Sequence, residues 1–134
     1  MTADPVQVLT VDDQPVFREA VRALIFSTPG FELAGEASSG AEALSAADRL
    51  HPDLVLLDVR MPGLDGIETA RILTAKRPDT VVVLVSGHEV DDVTGLADQC
   101  GAVALVAKER LRPALLRELW ATHRPHSTSV QPES

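Results

Sequence analysis

The sequence predicts an α/β protein built on one doubly wound parallel sheet of five strands, with five helices covering both faces. Two observations predict it. Short apolar runs alternate with stretches of helical periodicity along the chain. Two of these runs, at 53–57 and 80–85, are almost uninterrupted, as is typical of central parallel strands. Aromatic residues make up only 3% and tyrosine is absent, so the core must be aliphatic. Strands that alternate with helices favour right-handed crossover units.

The first part of the chain predicts two strands and two helices. A β-branched run at 6–11 predicts the first strand, and Pro15 suits the first turn of the helix that follows. One face of that helix is apolar at helical spacing, with Phe17, Val21, Leu24 and Ile25. Residues 31–37 alternate between apolar and polar, which predicts a strand near the sheet edge. The turn at 38–40 then begins the second helix, and Pro52 ends it.

The remaining elements follow in the same alternation. The third strand is expected at 53–57 and is followed directly by Asp58. The fourth and fifth strands are expected at 80–85 and 102–107. The helices between and after them are marked by the apolar sets Ile67, Ala70 and Leu73; Val90, Val93, Leu96 and Ala97; and Leu111, Leu115, Leu116 and Leu119. Residues 1–5 are then an N-terminal extension, 6–123 one domain, and 124–134 a flexible tail or interdomain linker.

Composition excludes several classes of function. The net charge of −8 would repel a phosphate backbone, so direct nucleic-acid binding by this chain is not expected. No apolar run reaches the length of a membrane span, and the first residues lack the basic and apolar stretches of a secretory signal. The lone Cys100 leaves no intrachain disulfide. These features predict a cytoplasmic protein with no membrane partner.

Four of the predicted strands end in residues that can carry chemistry. The first ends in Asp12-Asp13, the third in Asp58, the fourth in Ser86 and the fifth in Lys108. Each one alone is as well explained by a helix cap, a turn or a solvated charge. Ligands of a doubly wound sheet bind beyond the carboxyl ends of its strands, at the point where the winding reverses. In the order 2-1-3-4-5 that point lies between strands 1 and 3, where the three carboxylates should converge.

Such a cluster predicts a bound cation. Two carboxylates about 5 Å apart repel by roughly 3 kcal/mol at an effective dielectric constant near 20, and Lys108 neutralises only one charge. A hard divalent cation, Mg²⁺, would resolve the repulsion. A metal, a positioned carboxylate, a hydroxyl and an ammonium are the parts needed to hold a transferring phosphoryl group.

Four segments carry a resemblance to a known family. They are VDDQP at 11–15, LDVRMPGLDG at 57–66, VSG at 85–87 and AKE at 107–109. The sequence resembles the receiver domain of bacterial two-component response regulators over residues 6–123. It is most similar to the subfamily whose receivers precede a LuxR-type helix-turn-helix domain. The resemblance implies the flavodoxin-like (CheY-like) version of the predicted fold.

The resemblance also implies a role for each site residue. Asp58 is expected to accept a phosphoryl group from a sensor histidine kinase, and Lys108 and Ser86 to contact that group. The Mg²⁺ ligands would be Asp12, Asp13, Asp58 and the backbone carbonyl of Arg60. The positions that flank the phosphate are Arg60, Gly87 and His88, and the switch positions are Ser86 and Leu105. The implied partners are the kinase, a second copy of the chain on activation, and DNA bound by a C-terminal domain outside this sequence.

Two positions depart from the family pattern. Leu105 stands where the family usually has Tyr or Phe, so the aromatic half of the usual switch is missing. Glu109 follows Lys108 where many receivers have Pro, which is common in the subfamily that precedes a helix-turn-helix domain.

Three alternatives remain open from the sequence. A pseudo-receiver would keep the fold as a protein-interaction module only, and Leu105 is compatible with that. A metal-dependent phosphatase of the haloacid dehalogenase type would use Asp58 as nucleophile, but it needs an acid where this chain has Arg60. A flavodoxin-like nucleotide or flavin carrier needs a phosphate loop after the first strand, where Asp12-Asp13 would repel the ligand.

Overall fold

One parallel sheet organises the chain, as the sequence predicts. A computed structural model describes residues 4–61, 65–87 and 96–125. Its five strands are β1 (Val6–Val11), β2 (Phe31–Ala37), β3 (Leu54–Asp58), β4 (Val81–Ser86) and β5 (Ala104–Ala107). They lie in the order β2-β1-β3-β4-β5, and every neighbouring pair is parallel. All five carboxyl ends therefore point to one edge of the sheet.

Helices cover both faces of this sheet. They are α1 (Pro15–Phe26), α2 (Gly40–Leu50), α3 (Gly66–Lys76), α4 (Leu96–Cys100) and α5 (Pro113–His123), and a 3₁₀ turn (Lys108–Arg110) precedes α5. Alternate strand residues point to opposite faces, so each central strand supplies two separate cores. Leu9, Leu57 and Leu84 pack on the face that includes residues of α2 and α3. Val8, Leu56 and Val83 pack on the other face with residues of α1 and α5. None of the helices in the described ranges combines the length and the apolar character needed to cross a membrane.

The predicted bounds of three strands were wrong by one or two residues. β3 begins at Leu54 and includes Asp58, because Val59 N–H still donates to the Val85 carbonyl (2.9 Å) and the ladder reaches past the carboxylate. β4 is shifted by one residue and includes Ser86, which pairs in register with Ala107. β5 begins at Ala104. The predicted fourth-helix residues Val90 and Val93 lie outside the described residues, as does the tail beyond 125.

The helix starts near the carboxyl edge are formed in different ways. Asp65 caps α3, where its Oδ1 accepts from Glu68 N–H at 2.9 Å. Ser39 caps α2 in the same manner at 3.1 Å. The N-cap of α1 is Gln14, whose side chain makes no capping hydrogen bond, and Pro15 occupies the first turn. The acid pair that precedes α1 is therefore not used as its cap.

The start of α3 packs directly against the backbone of Asp58, which gives a first prediction. A Cβ at Gly66 would lie 2.0 Å from the Asp58 carbonyl oxygen and 2.8 Å from Val59 Cα. Backbone atoms cannot move away cheaply, so we expect Gly66→Ala to lower the free energy of unfolding by about 3 kcal/mol or more. Gly35→Ala is the matched control, since its Cβ would meet only the ends of side chains, 2.7 Å from Leu50 Cδ1 and 3.8 Å from Leu9 Cδ1. Urea unfolding of both variants checks this, and equal losses would contradict it.

Candidate functional site

Three carboxylates meet at the carboxyl edge, between β1 and β3. Asp12 and Asp13 follow β1, and Asp58 is the last residue of the neighbouring β3. One oxygen of each lies within 4.8 Å of the others, in a group that could hold a metal ion. Asp12 is 0% exposed and Asp58 6%, whereas Asp13 is exposed. The convergence predicted from the strand ends is present.

Local hydrogen bonds fix the two buried carboxylates by one oxygen each. Asp12 Oδ1 accepts from Gln14 N–H at 2.8 Å, and Asp58 Oδ1 accepts from Arg60 N–H at 3.1 Å. In both bonds the carboxylate accepts from the backbone N–H two residues later in the chain, which closes a turn. The other oxygen of each carboxylate, Oδ2, is thereby directed to the shared space.

One cation reaches this space from β5. Lys108 Nζ is 2.7 Å from Asp12 Oδ2 and 3.6 Å from Asp58 Oδ2, and its side chain is only 14% exposed. The 3₁₀ turn that Lys108 begins directly after β5 holds the ammonium at the sheet edge. With all groups ionised, one positive charge faces three negative ones. A net charge of −2 remains, which is the deficit that a divalent cation would balance.

The donors fit a hard divalent cation. Mg²⁺ prefers carboxylate and carbonyl oxygens, and this site offers three carboxylates. Asp12 Oδ2 is buried and forms an ion pair with Lys108 Nζ at 2.7 Å, and it has no further hydrogen bond within the described residues. Such an oxygen keeps its capacity to bind a cation. The group opens into a cleft of about 590 Å³ lined by Asp13, Asp58, Arg60, Gly87 and Lys108 and by Phe17 and Ala20 of α1.

The crowding of charge changes the acidity of Asp58. The pKa of the Asp58 carboxyl is raised from 3.8 to about 6, first by burial and then by the charge of Asp12. The Arg60 N–H bond and the Lys108 charge oppose this rise, and Asp13 adds a smaller increase. The metal-free protein therefore resists full ionisation of the pocket, and a cation that binds there displaces a proton.

This shift predicts an unusual dependence of stability on pH. A carboxyl whose folded pKa is raised favours folding below its unfolded pKa, near 3.8, and that contribution is lost as pH rises through about 6. We expect Asp58→Asn to become more stable relative to wild type by about 2.5 kcal/mol between pH 4 and pH 7, since each pKa unit is worth about 1.4 kcal/mol and the unfolded carboxyl is already partly ionised at pH 4. Urea unfolding in a chelator checks this. A stability difference that does not change with pH would contradict it.

Of the other predicted positions, Ser86 and Gly87 lie at the same edge of the sheet as the cluster. Ser86 is the last residue of β4 and is buried, and Gly87 follows it at the exposed rim. A Cβ at Gly87 would meet the Lys108 side chain, 3.4 Å from Cδ, so the lysine stem lies against this glycine. Leu105 pairs with Leu84 and packs, partly buried, on the face of α2 and α3. His88 lies outside the described residues.

Sequence reasoning missed two residues that contact Lys108. Gln14 Oε1 lies 3.2 Å from Lys108 Nζ, and the centroid of the Phe17 ring lies 4.3 Å from it. The helical periodicity of α1 had assigned Phe17 to the core only. A usable signal existed, since a residue in the first turn of a helix that begins beside the acid pair must lie near the same edge.

Comparison with sequence models of protein families shows which family the chain belongs to. The model of the response regulator receiver domain matches residues 8–119. The chain belongs to the response regulator receiver family. A curated relative, the nitrate/nitrite response regulator protein NarL of Escherichia coli K12, is 40% identical over 118 residues, which are 87% of this chain and 54% of NarL. This receiver domain thus spans about half the length of that relative.

Solved structures agree with the assignment. The receiver domain of the putative response regulator NarL from Mycobacterium tuberculosis superposes with a TM-score of 0.81 at 32% identity, covering 90% of this chain and 97% of that one. A LuxR-family DNA-binding response regulator from Staphylococcus aureus gives a TM-score of 0.78 at 26% identity, covering 87% and 97%. The predicted family and the similarity to receivers of the LuxR type are confirmed.

Proposed function

We propose that this receiver domain takes a phosphoryl group from a sensor histidine kinase onto Asp58. The observation that carries the proposal is the group of three carboxylates within 4.8 Å of one another, with one lysine ammonium among them. Asp12, Asp13, Asp58 and the backbone carbonyl of Arg60 would hold Mg²⁺. The ion supplies charge neutralisation at the transferring phosphoryl group when bound.

The residues of the chain have separate parts in this reaction. Asp58 Oδ1 is held by Arg60 N–H, which leaves Oδ2 to form the bond to phosphorus while the bond to the leaving group breaks. Lys108 lies 3.6 Å from Oδ2 and would pair with the phosphoryl oxygens. Ser86, at the buried end of β4, would supply its hydroxyl to them. Gly87 keeps the rim free of a side chain, so that a phosphodonor can approach.

We expect the DNA-binding output of the protein to come from a domain outside this chain. We expect DNA to be bound by a C-terminal domain, with 124–134 as the linker and 6–123 as the receiver, because the net charge of −8 disfavours DNA binding here.

Activation would favour a homodimer. Of the two candidate faces, α1 with α5 and α4 with β5 and α5, the first gains support because α1 exposes Val16 and Phe26, at 78% and 93%. A cytoplasmic location stays a prediction.

The alternatives are weaker than this proposal. A phosphatase acting on a small substrate would need an acid at Arg60, so we propose that the chain promotes only its own phosphorylation and dephosphorylation. A pseudo-receiver would have no need for a buried carboxylate pair beside a lysine, which costs stability. Leu105 concerns how phosphorylation would be transmitted from the site to the rest of the protein. It does not affect the assignment of Asp58 as the phosphoryl acceptor.

Intact-mass measurement after incubation with acetyl phosphate tests the proposal. Wild-type protein should gain the mass of one phosphoryl group in Mg²⁺ and none in excess chelator. The label should map to the peptide that contains Asp58 and should be removed by hydroxylamine, which cleaves acyl phosphates. Protein that folds and binds Mg²⁺ but never gains this mass would favour the pseudo-receiver.

Arg60 provides a prediction about the lifetime of the phosphorylated state. Its side chain is exposed and lines the cleft two residues beyond the acceptor. We expect Arg60→Ala to change the dephosphorylation half-life by about threefold or more without abolishing phosphorylation, and His88→Ala to act similarly. Half-lives followed by intact mass after removal of the donor check this. Unchanged half-lives in both variants would contradict it.

A further inference from the structure

The surroundings of Lys108 contain two partners that carry no charge. Besides the two carboxylates, the ammonium lies 3.2 Å from Gln14 Oε1 and 4.3 Å from the centroid of the Phe17 ring. Gln14 is the N-cap of α1 and Phe17 lies in its first turn. The lysine stem also lies against Gly87 at the end of β4. Lys108 is therefore held between one sheet edge and the start of one helix.

We propose that Gln14 and Phe17 are positioning residues, which keep the Lys108 ammonium at the phosphoryl site by contacts that do not neutralise its charge. The inference rests on the proposed function, in which Lys108 pairs with the phosphoryl oxygens. An ammonium over an aromatic face is attracted by the ring quadrupole, and an amide oxygen accepts a hydrogen bond from it. Both contacts restrain the position of the ammonium and leave its full positive charge for the incoming group.

The need for neutral partners follows from competition at Asp12. Asp12 Oδ2 lies 2.7 Å from Lys108 Nζ and is the nearer of its two carboxylate partners. A divalent cation at the cluster would engage the same oxygen and weaken this ion pair. Lys108 would then be free to swing to solvent on its flexible stem. Gln14 and Phe17 do not bind the cation through carboxylates, so their contacts with Lys108 persist when the pocket is loaded.

The lysine content of the chain makes the first test direct. The sequence contains two lysines, Lys76 and Lys108, and the side chain of Lys76 is 54% exposed beside Asp48. In protein labelled with ¹³C-lysine, the ring current of Phe17 should shift the ε-methylene protons of Lys108 upfield of those of Lys76. The shift should persist in Mg²⁺. A Lys108 signal that coincides with that of Lys76, with or without Mg²⁺, would overturn the proposal whether or not the protein is phosphorylated.

Substitution of the ring gives the second test. Phe17→Leu should abolish the upfield shift and slow phosphorylation by acetyl phosphate in Mg²⁺ by about fivefold, and Phe17→Tyr should restore both. Phe31→Leu is the matched control, since Phe31 packs, partly buried, against the same apolar cluster but begins β2 at the opposite edge. A Phe17→Leu rate equal to that of Phe31→Leu would overturn the positioning role. If Phe17→Leu fails to fold, the wild-type and Phe17→Tyr spectra decide alone.

The neutrality of Gln14 can be tested with a side chain of the same shape. Gln14→Glu keeps an oxygen near Lys108 but adds a negative charge that pairs with it. We expect phosphorylation in saturating Mg²⁺ to slow by about tenfold in Gln14→Glu, and by less in Gln14→Leu. A rate in Gln14→Glu at or above that of wild type would contradict the idea that Lys108 must be held without being neutralised.

Discussion

Asp58→Asn should reduce labelling by acetyl phosphate to background while the protein remains folded. An amide has nearly the shape of the carboxylate but is not a nucleophile toward phosphorus, so the chemical step is lost without disturbing packing. The variant should also be more stable than wild type above pH 6, because burial and the charge of Asp12 disfavour the ionised Asp58 carboxyl, whose pKa is about 6. Loss of labelling together with gain of stability distinguishes a reactive site from a structural one. Intact mass and urea unfolding on the same samples measure both.

Asp65→Asn is the matched control for this substitution. Asp65 is exposed and caps α3, and asparagine caps helices about as well as aspartate. This control also replaces a carboxylate with an amide, at a position close to Asp58 in the sequence. It should therefore be labelled like wild type. Labelling of Asp58→Asn at the wild-type rate would exclude Asp58 as the acceptor.

Asp13→Asn should weaken Mg²⁺ binding by about 100-fold or more and leave the fold intact. Asp13 is the exposed member of the carboxylate group, so its removal costs no buried contact. It does remove one of three charges that attract the ion, and direct charge contacts are worth several kcal/mol even in a high effective dielectric. The nucleophile remains, so labelling should be recovered in part when the Mg²⁺ concentration is raised. Asp58→Asn should show no such recovery.

Calorimetric titration of Mg²⁺ into Asp13→Asn and Asp65→Asn measures this difference. Equal affinities in the two variants would mean that Asp13 is not a ligand. A loss of folding in Asp13→Asn would mean that the carboxylate has a structural part that its exposure does not reveal.

Much of the fold and of the site could be predicted because both depend on local patterns. Uninterrupted apolar runs identified β3 and β4 as central strands, and the alternation at 31–37 placed β2 at an edge. Once the strands are parallel, their carboxyl ends share one edge, so Asp12, Asp13 and Asp58 had to meet. The convergence follows from strand order and direction alone.

The rest depends on packing between elements that are distant in sequence. The raised pKa of Asp58 comes first from burial, which no local pattern reports. The contacts of Lys108 with Gln14 join residues 94 positions apart, and they depend on the angle at which α1 leaves the sheet. The 3₁₀ turn after β5 begins at Lys108, whose ammonium lies over the Phe17 ring of that helix. Leu105 was recognised as a departure, but the aromatic ring near Lys108, that of Phe17, was not.

The most direct test is calorimetric titration of Mg²⁺ into metal-free wild-type protein at pH 6, in two buffers that differ in ionisation enthalpy. We expect one ion bound per chain and the release of about half a proton, since Asp58, with a pKa of about 6, is half protonated there. Proton release should fall toward zero at pH 8. Absence of binding at millimolar Mg²⁺, or binding without proton release at pH 6, would contradict an anionic pocket that a divalent cation completes.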